Sequence, residues 1–103
     1  MTPLEKDVEK SLCRMVGRHG GLCLKWISPG RAGVPDRIIL LPGGRVMFVE
    51  LKRPKGGERS KLQLWWAGCL RTMGFPHLWI KSHEDVRALE AEIVAAGGPD
   101  EAV

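Results

Sequence analysis

The chain has 103 residues, a length that accommodates one small domain with a single hydrophobic core. Its apolar fraction of 44% is typical of a globular protein and excludes an intrinsically disordered chain. A formal net charge of +4 is compatible with a nucleic-acid partner, but many basic proteins bind no nucleic acid. Charge alone therefore assigns no function.

The first predicted element is an N-terminal helix. Thr2 can serve as its N-cap, Pro3 fits the first turn, and Glu5 can close a capping box. Apolar residues then recur at helical spacing until a segment that ends the helix: Leu4, Val8, Leu12 and Met15, followed by His19-Gly20-Gly21. Next come a predicted strand, Leu22 to Ile27, and a turn-rich loop from Ser28 to Gly33.

The middle of the chain predicts a β-hairpin. Two strands, Arg37 to Leu41 and Arg45 to Leu51, flank the turn Pro42-Gly43-Gly44. The remaining elements are a basic loop from Arg53 to Arg59, a helix capped by Ser60 that runs to about Met73, a strand from Phe75 to Ile80, and a helix from Ser82 to about Val94. The order α-β-β-β-α-β-α predicts an α/β fold in which helices flank a mixed sheet.

Domain organisation and location are also predicted from the sequence. We expect a single domain over residues 1–96 and a flexible tail over 97–103. The three cysteines include no C-x-x-C pair, which favours reduced thiols over a disulfide framework or a zinc finger. Neither a signal peptide nor an apolar run of about eighteen residues is present, so we expect a cytoplasmic protein with no membrane segment.

The hairpin register predicts a metal site. If Leu41 pairs with Arg45, then Asp36 faces Glu50 on the same side of the sheet, with Cβ atoms about 5 Å apart. Two carboxylates there would repel each other unless a cation lay between them, and Mg²⁺ prefers a few carboxylate oxygens together with water and phosphate. Lys52, on the same face, could stabilise charge at a scissile phosphate. The alternative is that Asp36 is a turn residue and that Glu50 and Lys52 are an exposed strand pair.

These residues resemble a known family. Gly33-Val34-Pro35-Asp36, Val49-Glu50-Leu51-Lys52, Glu5 and Gln63 are similar to the motifs of the VRR-NUC family, within the PD-(D/E)xK nuclease superfamily. The resemblance covers roughly residues 4–94. It implies a restriction-endonuclease-like core and Mg²⁺- or Mn²⁺-dependent DNA cleavage. Stand-alone bacterial and phage members resemble Holliday-junction resolvases that work as homodimers in DNA recombination and repair.

The resemblance also implies residue roles. Asp36, Glu50 and the backbone carbonyl of Leu51 would bind the metal, Lys52 would be catalytic, Glu5 would be an outer acidic residue, and Gln63 would be the motif glutamine. Helix capping is an equally good explanation of Glu5 and Gln63, since Thr2-x-x-Glu5 and Ser60-x-x-Gln63 are both capping boxes. Glu9, one turn after Glu5, is the alternative acidic residue.

Two surfaces complete the expectations. Basic side chains in the loops around the site would contact DNA phosphates without reading sequence: Arg31, Arg53, Lys55, Arg59 and Lys61. The stripe Leu62, Trp66, Cys69 and Met73 is expected to face the sheet, so that Trp65 points away from it. An exposed Trp65 suggests a homodimer interface, unless another part of the chain covers it.

The sequence thus favours a structure-specific DNA endonuclease with Holliday junctions as substrate. Three alternatives stay open: a non-catalytic nucleic-acid-binding module with the same fold, a nuclease for flaps or ends, and a subunit that needs a partner for targeting. Paired carboxylates weigh against the first alternative, because a pure binder has no need of them near a phosphate.

Overall fold

A computed structural model describes residues 3–51 and 60–97. Its elements follow the predicted order: α1 (Pro3–Arg18), β1 (Leu22–Lys25), β2 (Arg37–Leu41), β3 (Arg45–Leu51), α2 (Lys61–Thr72), β4 (His77–Ile80) and α3 (His83–Gly97). The bounds of β2 and β3 are those predicted. Strand β1 ends two residues earlier than predicted, and β4 begins two residues later. The predicted Thr2 cap and residues 98–103 of the predicted tail lie outside the described residues, whereas Gly97, the first residue of that tail, is the last residue of α3.

The four strands form one mixed sheet in the order β1-β2-β3-β4. The β1–β2 and β2–β3 pairs are antiparallel, whereas β3 and β4 are parallel and are connected through α2. The hairpin register is confirmed, since Leu41 pairs with Arg45 and Ile38 with Phe48. Gly43 and Gly44 have φ angles of 85° and 75°, a region that glycine enters without steric strain. The turn residues therefore set the register on which the predicted site depends.

One face of the sheet, the α1/α3 face, carries the hydrophobic core. Alternate residues of β2 and β3, such as Ile39 and Val49, pack there against Leu12 of α1 and Leu89 of α3. All four side chains are buried. Burial on this face explains why each of these helices shows an apolar stripe in the sequence.

The opposite face, the α2 face, is covered only in part. An aromatic cluster lies on it: Trp26 packs against Phe48 and Trp66, with ring centroids 5.5 and 5.6 Å apart, and Phe75 packs against Phe48. Leu22 and Leu24 of β1, which point to the same face as Phe48, are exposed. The α2 face therefore offers apolar surface beside the helix.

The predicted inward stripe of α2 is wrong at two positions. Leu62 and Met73 are exposed, whereas Ala67 and Leu70 are the buried residues of the helix. The helix is rotated because Leu62 packs on the loop at Gly33 instead of on the sheet. Trp65 is 54% exposed, as predicted, and makes an edge-on contact with Trp66. None of the helices in the described part of the chain is long and apolar enough to cross a membrane.

Candidate active site

The candidate site lies where β2 begins and β3 ends. The last pair of the β2–β3 ladder is Arg37 with Val49, so one further step places Asp36 opposite Glu50. The backbone N–H of Trp26 donates to the carbonyl of Asp36 at 3.1 Å, which extends the β1–β2 ladder to that residue. By strand alternation, both carboxylates point to the α2 face.

The Asp36 side chain is held by the backbone of β3. Its Oδ2 accepts a hydrogen bond of 2.7 Å from the N–H of Leu51. The preceding loop is shaped by Gly33, whose φ is +81°, and by the buried Pro35. A Cβ atom at Gly33 would lie 2.6 Å from Cγ of Leu62, so glycine permits the close approach of α2. Loop and helix together fix where Asp36 enters the sheet.

Glu50 is a buried carboxylate, with a relative exposure of 2%. Its Oε1 accepts a hydrogen bond of 2.8 Å from Nε2 of Gln63. Burying a carboxylate costs free energy unless hydrogen bonds or a cation compensate, so residues of this kind are often retained for function. Because Glu50 directly follows three buried residues of β3, its position on the strand forces the burial.

Gln63 serves as a helix cap and as a site residue at once. Its Oε1 accepts from the N–H of Ser60, and its own N–H donates to Oγ of Ser60, which completes the capping box. The other end of the same amide, Nε2, donates to Glu50. A side-chain amide has both an acceptor and two donors, so the two interpretations drawn from the sequence are compatible.

The acidic residues of α1 differ in their contacts. Oε2 of Glu9 forms an ion pair of 2.8 Å with Nε of Arg37, a residue that follows Asp36 and therefore points to the α1/α3 face. The partner of Glu9, Arg37, therefore lies on the opposite side of the sheet from the α2 face. Glu5, one turn earlier, is half-buried. Among the described residues, no group of three or more His, Cys, Asp or Glu side chains has the arrangement of a metal site.

Two side chains near the site were not singled out from the sequence. His77 and Trp79 of β4 pair in parallel register with Phe48 and Glu50, and their rings are 5.0 Å apart. His77 is 2% exposed. Only the register of β4 against β3 brings them here, and that register could not be read before the crossover was known.

The structure describes two of the five predicted basic residues. Arg31 is exposed in the loop before Asp36, where its N–H donates to the carbonyl of Ser28, and Lys61 is exposed at the first position of α2. The other predicted residues of the site and its basic loop lie outside the described residues: Lys52, Arg53, Lys55 and Arg59.

The donor set suits a hard divalent cation. Mg²⁺ and Mn²⁺ bind through oxygen, and Asp36, Glu50 and the carbonyl of Leu51 supply oxygen only. A carboxylate has about four lone-pair positions, so a hydrogen bond and a metal can share one carboxylate. The Leu51 and Gln63 bonds would also orient the two carboxylates, as outer hydrogen bonds do at metal sites generally. The residues present therefore fit the expected metal.

Comparison with known proteins finds similar sequences and a similar solved structure, although no protein-family model matches the chain. The phage protein named "Putative nuclease p44", from Acyrthosiphon pisum secondary endosymbiont phage 1, is 50% identical over 55 residues, which are 53% of this chain and 57% of that protein. The protein named "Endoribonuclease YbeY", from Pseudomonas putida (strain W619), is 36% identical over 78 residues, 67% of this chain and 50% of that protein. The chain thus spans about half the length of these two relatives.

The similarity to a solved structure is more extensive. A structure described as a VRR_NUC domain superimposes with a TM-score of 0.80 at 30% sequence identity. The match covers 85% of this chain and 95% of that structure. The agreement therefore includes the sheet, its flanking helices and most of the chain's length.

Proposed function

The chain belongs to the VRR-NUC family, and from this premise we propose that it is a metal-dependent endonuclease that hydrolyses phosphodiester bonds in DNA. One observation supports the proposal: Asp36 and Glu50 follow the last pair of the β2–β3 ladder on the two strands, and each carboxylate accepts a hydrogen bond, from Leu51 and Gln63 respectively. The nuclease names of the two curated relatives support the same reaction class. A single nuclease domain over residues 1–96 and a cytoplasmic location belong to the same proposal.

In the proposed mechanism, Asp36, Glu50 and the carbonyl of Leu51 would hold Mg²⁺ or Mn²⁺. When bound, such an ion polarises a phosphoryl oxygen and lowers the pKa of its water. The N–H of Leu51 and the amide of Gln63 keep the carboxylates in place, so little reorganisation is needed when substrate arrives. Lys52 stabilises the charge that develops on the scissile phosphate, and Glu5 acts as an outer acidic residue.

The proposed substrate is branched DNA, with the four-way junction favoured. The basic residues around the site would bind phosphates, which position DNA without specifying sequence: Arg31, Arg53, Lys55, Arg59 and Lys61. Recognition would then depend on the shape of the DNA. Two active sites related by a two-fold axis would suit a symmetric junction.

The apolar α2 face supports the homodimer. Leu22, Leu24 and Trp65 are 58%, 43% and 54% exposed on this side of the molecule. Exposed apolar surface of this kind typically marks an interface. We expect sedimentation to give a dimer for the wild type and a monomer for Trp65→Ala or Leu24→Gln. Val94→Gln, an exposed aliphatic position on α3, is the control that should stay dimeric. A monomeric wild type at micromolar concentration would contradict the dimer.

The function is tested with labelled DNA of defined shape. A four-way junction, a 5′-flap and a linear duplex are incubated with Mg²⁺, Mn²⁺ or EDTA, beside the Asp36→Asn protein. Symmetric metal-dependent nicks in the junction alone, lost in Asp36→Asn, would support a junction resolvase. Cleavage of flaps or ends would retain the nuclease and reject the junction. Binding without cleavage under every condition would favour the non-catalytic module or a missing partner.

RNA is the second candidate substrate, because one relative is named an endoribonuclease. An RNA strand differs from DNA at the 2′-hydroxyl, which a protein can recognise. An RNA four-way junction and an RNA duplex therefore belong in the same assay. If RNA is cleaved faster than DNA of the same sequence, RNA replaces DNA as the proposed substrate.

A further inference from the structure

A shallow groove between α1 and the edge strand β1 is strongly basic. Lys6, Lys10 and Arg14 follow one another at four-residue spacing along α1, and Lys25 of β1 faces the same groove. All four side chains are exposed. Residues four apart on a helix form a row on one face, so these cations are neighbours along the helix axis. We call these four residues the α1 basic surface.

The acidic residues near this surface already have partners. Oδ2 of Asp7 lies 2.7 Å from Nε2 of His83, and Glu9 pairs with Arg37. Within residues 3–51 and 60–97, none of the four basic side chains forms an ion pair. The groove is lined by five cationic side chains and one carboxylate, a net charge of +4. The whole chain also carries +4, so the rest of it is electrically balanced.

The α1 basic surface begins at the end of the sheet that holds the candidate site. His83, which contacts Asp7 near the start of α1, follows β4, and β4 ends beside Leu51. The other end of α1 lies at the hairpin, since a Cβ atom at Gly21 would meet the carbonyl of Leu40. From Lys6 to Arg14 the helix rises about 12 Å, which spans about three or four phosphates of one DNA strand.

We propose that the α1 basic surface binds the phosphate backbone of a duplex arm that leaves the active site and runs toward the hairpin end of the sheet. The partner is DNA, because a row of exposed cations is complementary in charge to a line of phosphates. The proposal rests on the nucleic-acid substrate of the proposed function. Lysine on an edge strand also discourages pairing with other strands, so the test alters Lys10 and Arg14 of α1 and leaves Lys25 of β1 unchanged.

The test compares two double variants that each remove two charges. Lys10→Gln/Arg14→Gln alters the proposed surface. Lys81→Gln/Arg87→Gln alters two exposed positions elsewhere, one directly after β4 and one in α3. Glutamine has a helix propensity close to that of lysine and arginine, so the fold should be preserved. Binding to a labelled duplex of about 30 base pairs, roughly 100 Å long, is measured in EDTA over a range of salt concentrations. Circular dichroism and thermal unfolding confirm that each variant is folded.

We expect Lys10→Gln/Arg14→Gln to bind roughly tenfold more weakly and to lower the slope of log K against log salt by about 2, as two lost phosphate contacts would. The control variant should match the wild type. Unchanged affinity and slope in the first variant would overturn the proposal, as would an equal loss in both variants. Binding to polyglutamate is measured in parallel. If Lys10→Gln/Arg14→Gln loses binding to polyglutamate but keeps its binding to DNA, the proposal is overturned in favour of an acidic protein partner.

The outcome for the surface is separable from that of the proposed function. Because binding is measured without metal, a protein that binds DNA but never cleaves it still gives a result for the surface. A wild type that binds no nucleic acid would overturn both.

Discussion

The carboxylate of Asp36 accepts a 2.7 Å hydrogen bond from the backbone N–H of Leu51. This bond joins β2 and β3 one step beyond the last pair of their ladder, Arg37 with Val49. It also fixes the orientation of a carboxylate that we assign to a metal. Asp36 therefore has a structural role and a proposed chemical role, and the two can be separated by choosing the substitution.

Asp36→Asn should retain the fold and lose activity. The asparagine oxygen can still accept from the N–H of Leu51, but the negative charge is gone. We expect a free energy of unfolding within about 0.5 kcal/mol of the wild type and a cleavage rate at least about a hundredfold lower. Asp36→Ala should lose activity equally and, in addition, about 1–3 kcal/mol of stability, because the N–H of Leu51 is left without its acceptor. Urea unfolding and single-turnover cleavage measure the two effects, and full activity in Asp36→Asn would refute the site.

Gln63 and Ser60 allow capping to be separated from positioning. Ser60→Ala removes the oxygen that caps α2 but leaves the Gln63–Glu50 bond possible, so it should cost about 1 kcal/mol of stability with little change in cleavage. Gln63→Ala removes its half of the cap and the donor to Glu50 as well. We expect a similar loss of stability and cleavage about tenfold slower or more. Equal cleavage rates for Ser60→Ala and Gln63→Ala would show that Gln63 serves only as a helix cap.

Glu50→Gln should lose metal binding without losing stability. The substituted amide can still accept from Gln63 but no longer carries a charge in a position that is 2% exposed. Without metal, we expect unchanged or higher stability, by up to about 2 kcal/mol. In the wild type, Mg²⁺ at about 100 times its Kd should raise stability by about 2.7 kcal/mol, and this increase should vanish in the variant. Thermal unfolding with and without Mg²⁺ is the measurement, and a marked loss of stability without metal would show that Glu50 serves the fold.

The hairpin and its two carboxylates were predictable because the information is local. Pro42-Gly43-Gly44 specifies a three-residue turn, and period-two alternation then assigns every side chain of β2 and β3 to a face. The placement of Asp36 opposite Glu50 follows from counting outward from that turn. No contact from elsewhere in the chain is needed to derive it.

The features that were not predicted depend on contacts between distant segments. The rotation of α2 follows from Leu62 packing against Gly33, and the Glu9–Arg37 pair joins residues 28 positions apart. The sequence around α2 offers apolar residues on several sides of the helix, so its periodicity did not single out Ala67 and Leu70. His77 was unassigned for the same reason, since a parallel register is set by a crossover and not by a turn.

Gly33→Ala should disturb the site through the helix above it. Gly33 has a φ of +81°, and the added Cβ would lie 2.6 Å from Cγ of Leu62. We expect a loss of about 1–3 kcal/mol of stability and slower cleavage, because α2 carries Gln63 and must shift. Gly30→Ala, three residues earlier, is the control: among residues 3–51 and 60–97, no atom other than those of its chain neighbours lies within 4 Å of its Cβ position, so the change should be nearly neutral. Equal stability of the two variants would contradict this account of the loop.

The alkaline pH dependence should report on Cys23, whose Sγ lies 3.1 Å from that of Cys13. Burial, and next the hydrogen bond with Cys13, raise the pKa of the Cys23 thiol from 9.0 to about 12. Because the folded pKa exceeds the unfolded value, the protonated thiol stabilises the fold below pH 9, and this contribution is lost as the pH rises from 9 toward 12.

Since the thiolate is the nucleophile, iodoacetamide at about pH 8 should modify Cys23 at least about a hundredfold more slowly in the native protein than in urea. Cys13→Ala should recover only part of the reactivity of Cys23, because burial is the larger cause of the raised pKa and remains in the variant. Peptide mass mapping measures the labelling. If native Cys23 is labelled as fast as unfolded Cys23, the raised pKa is contradicted.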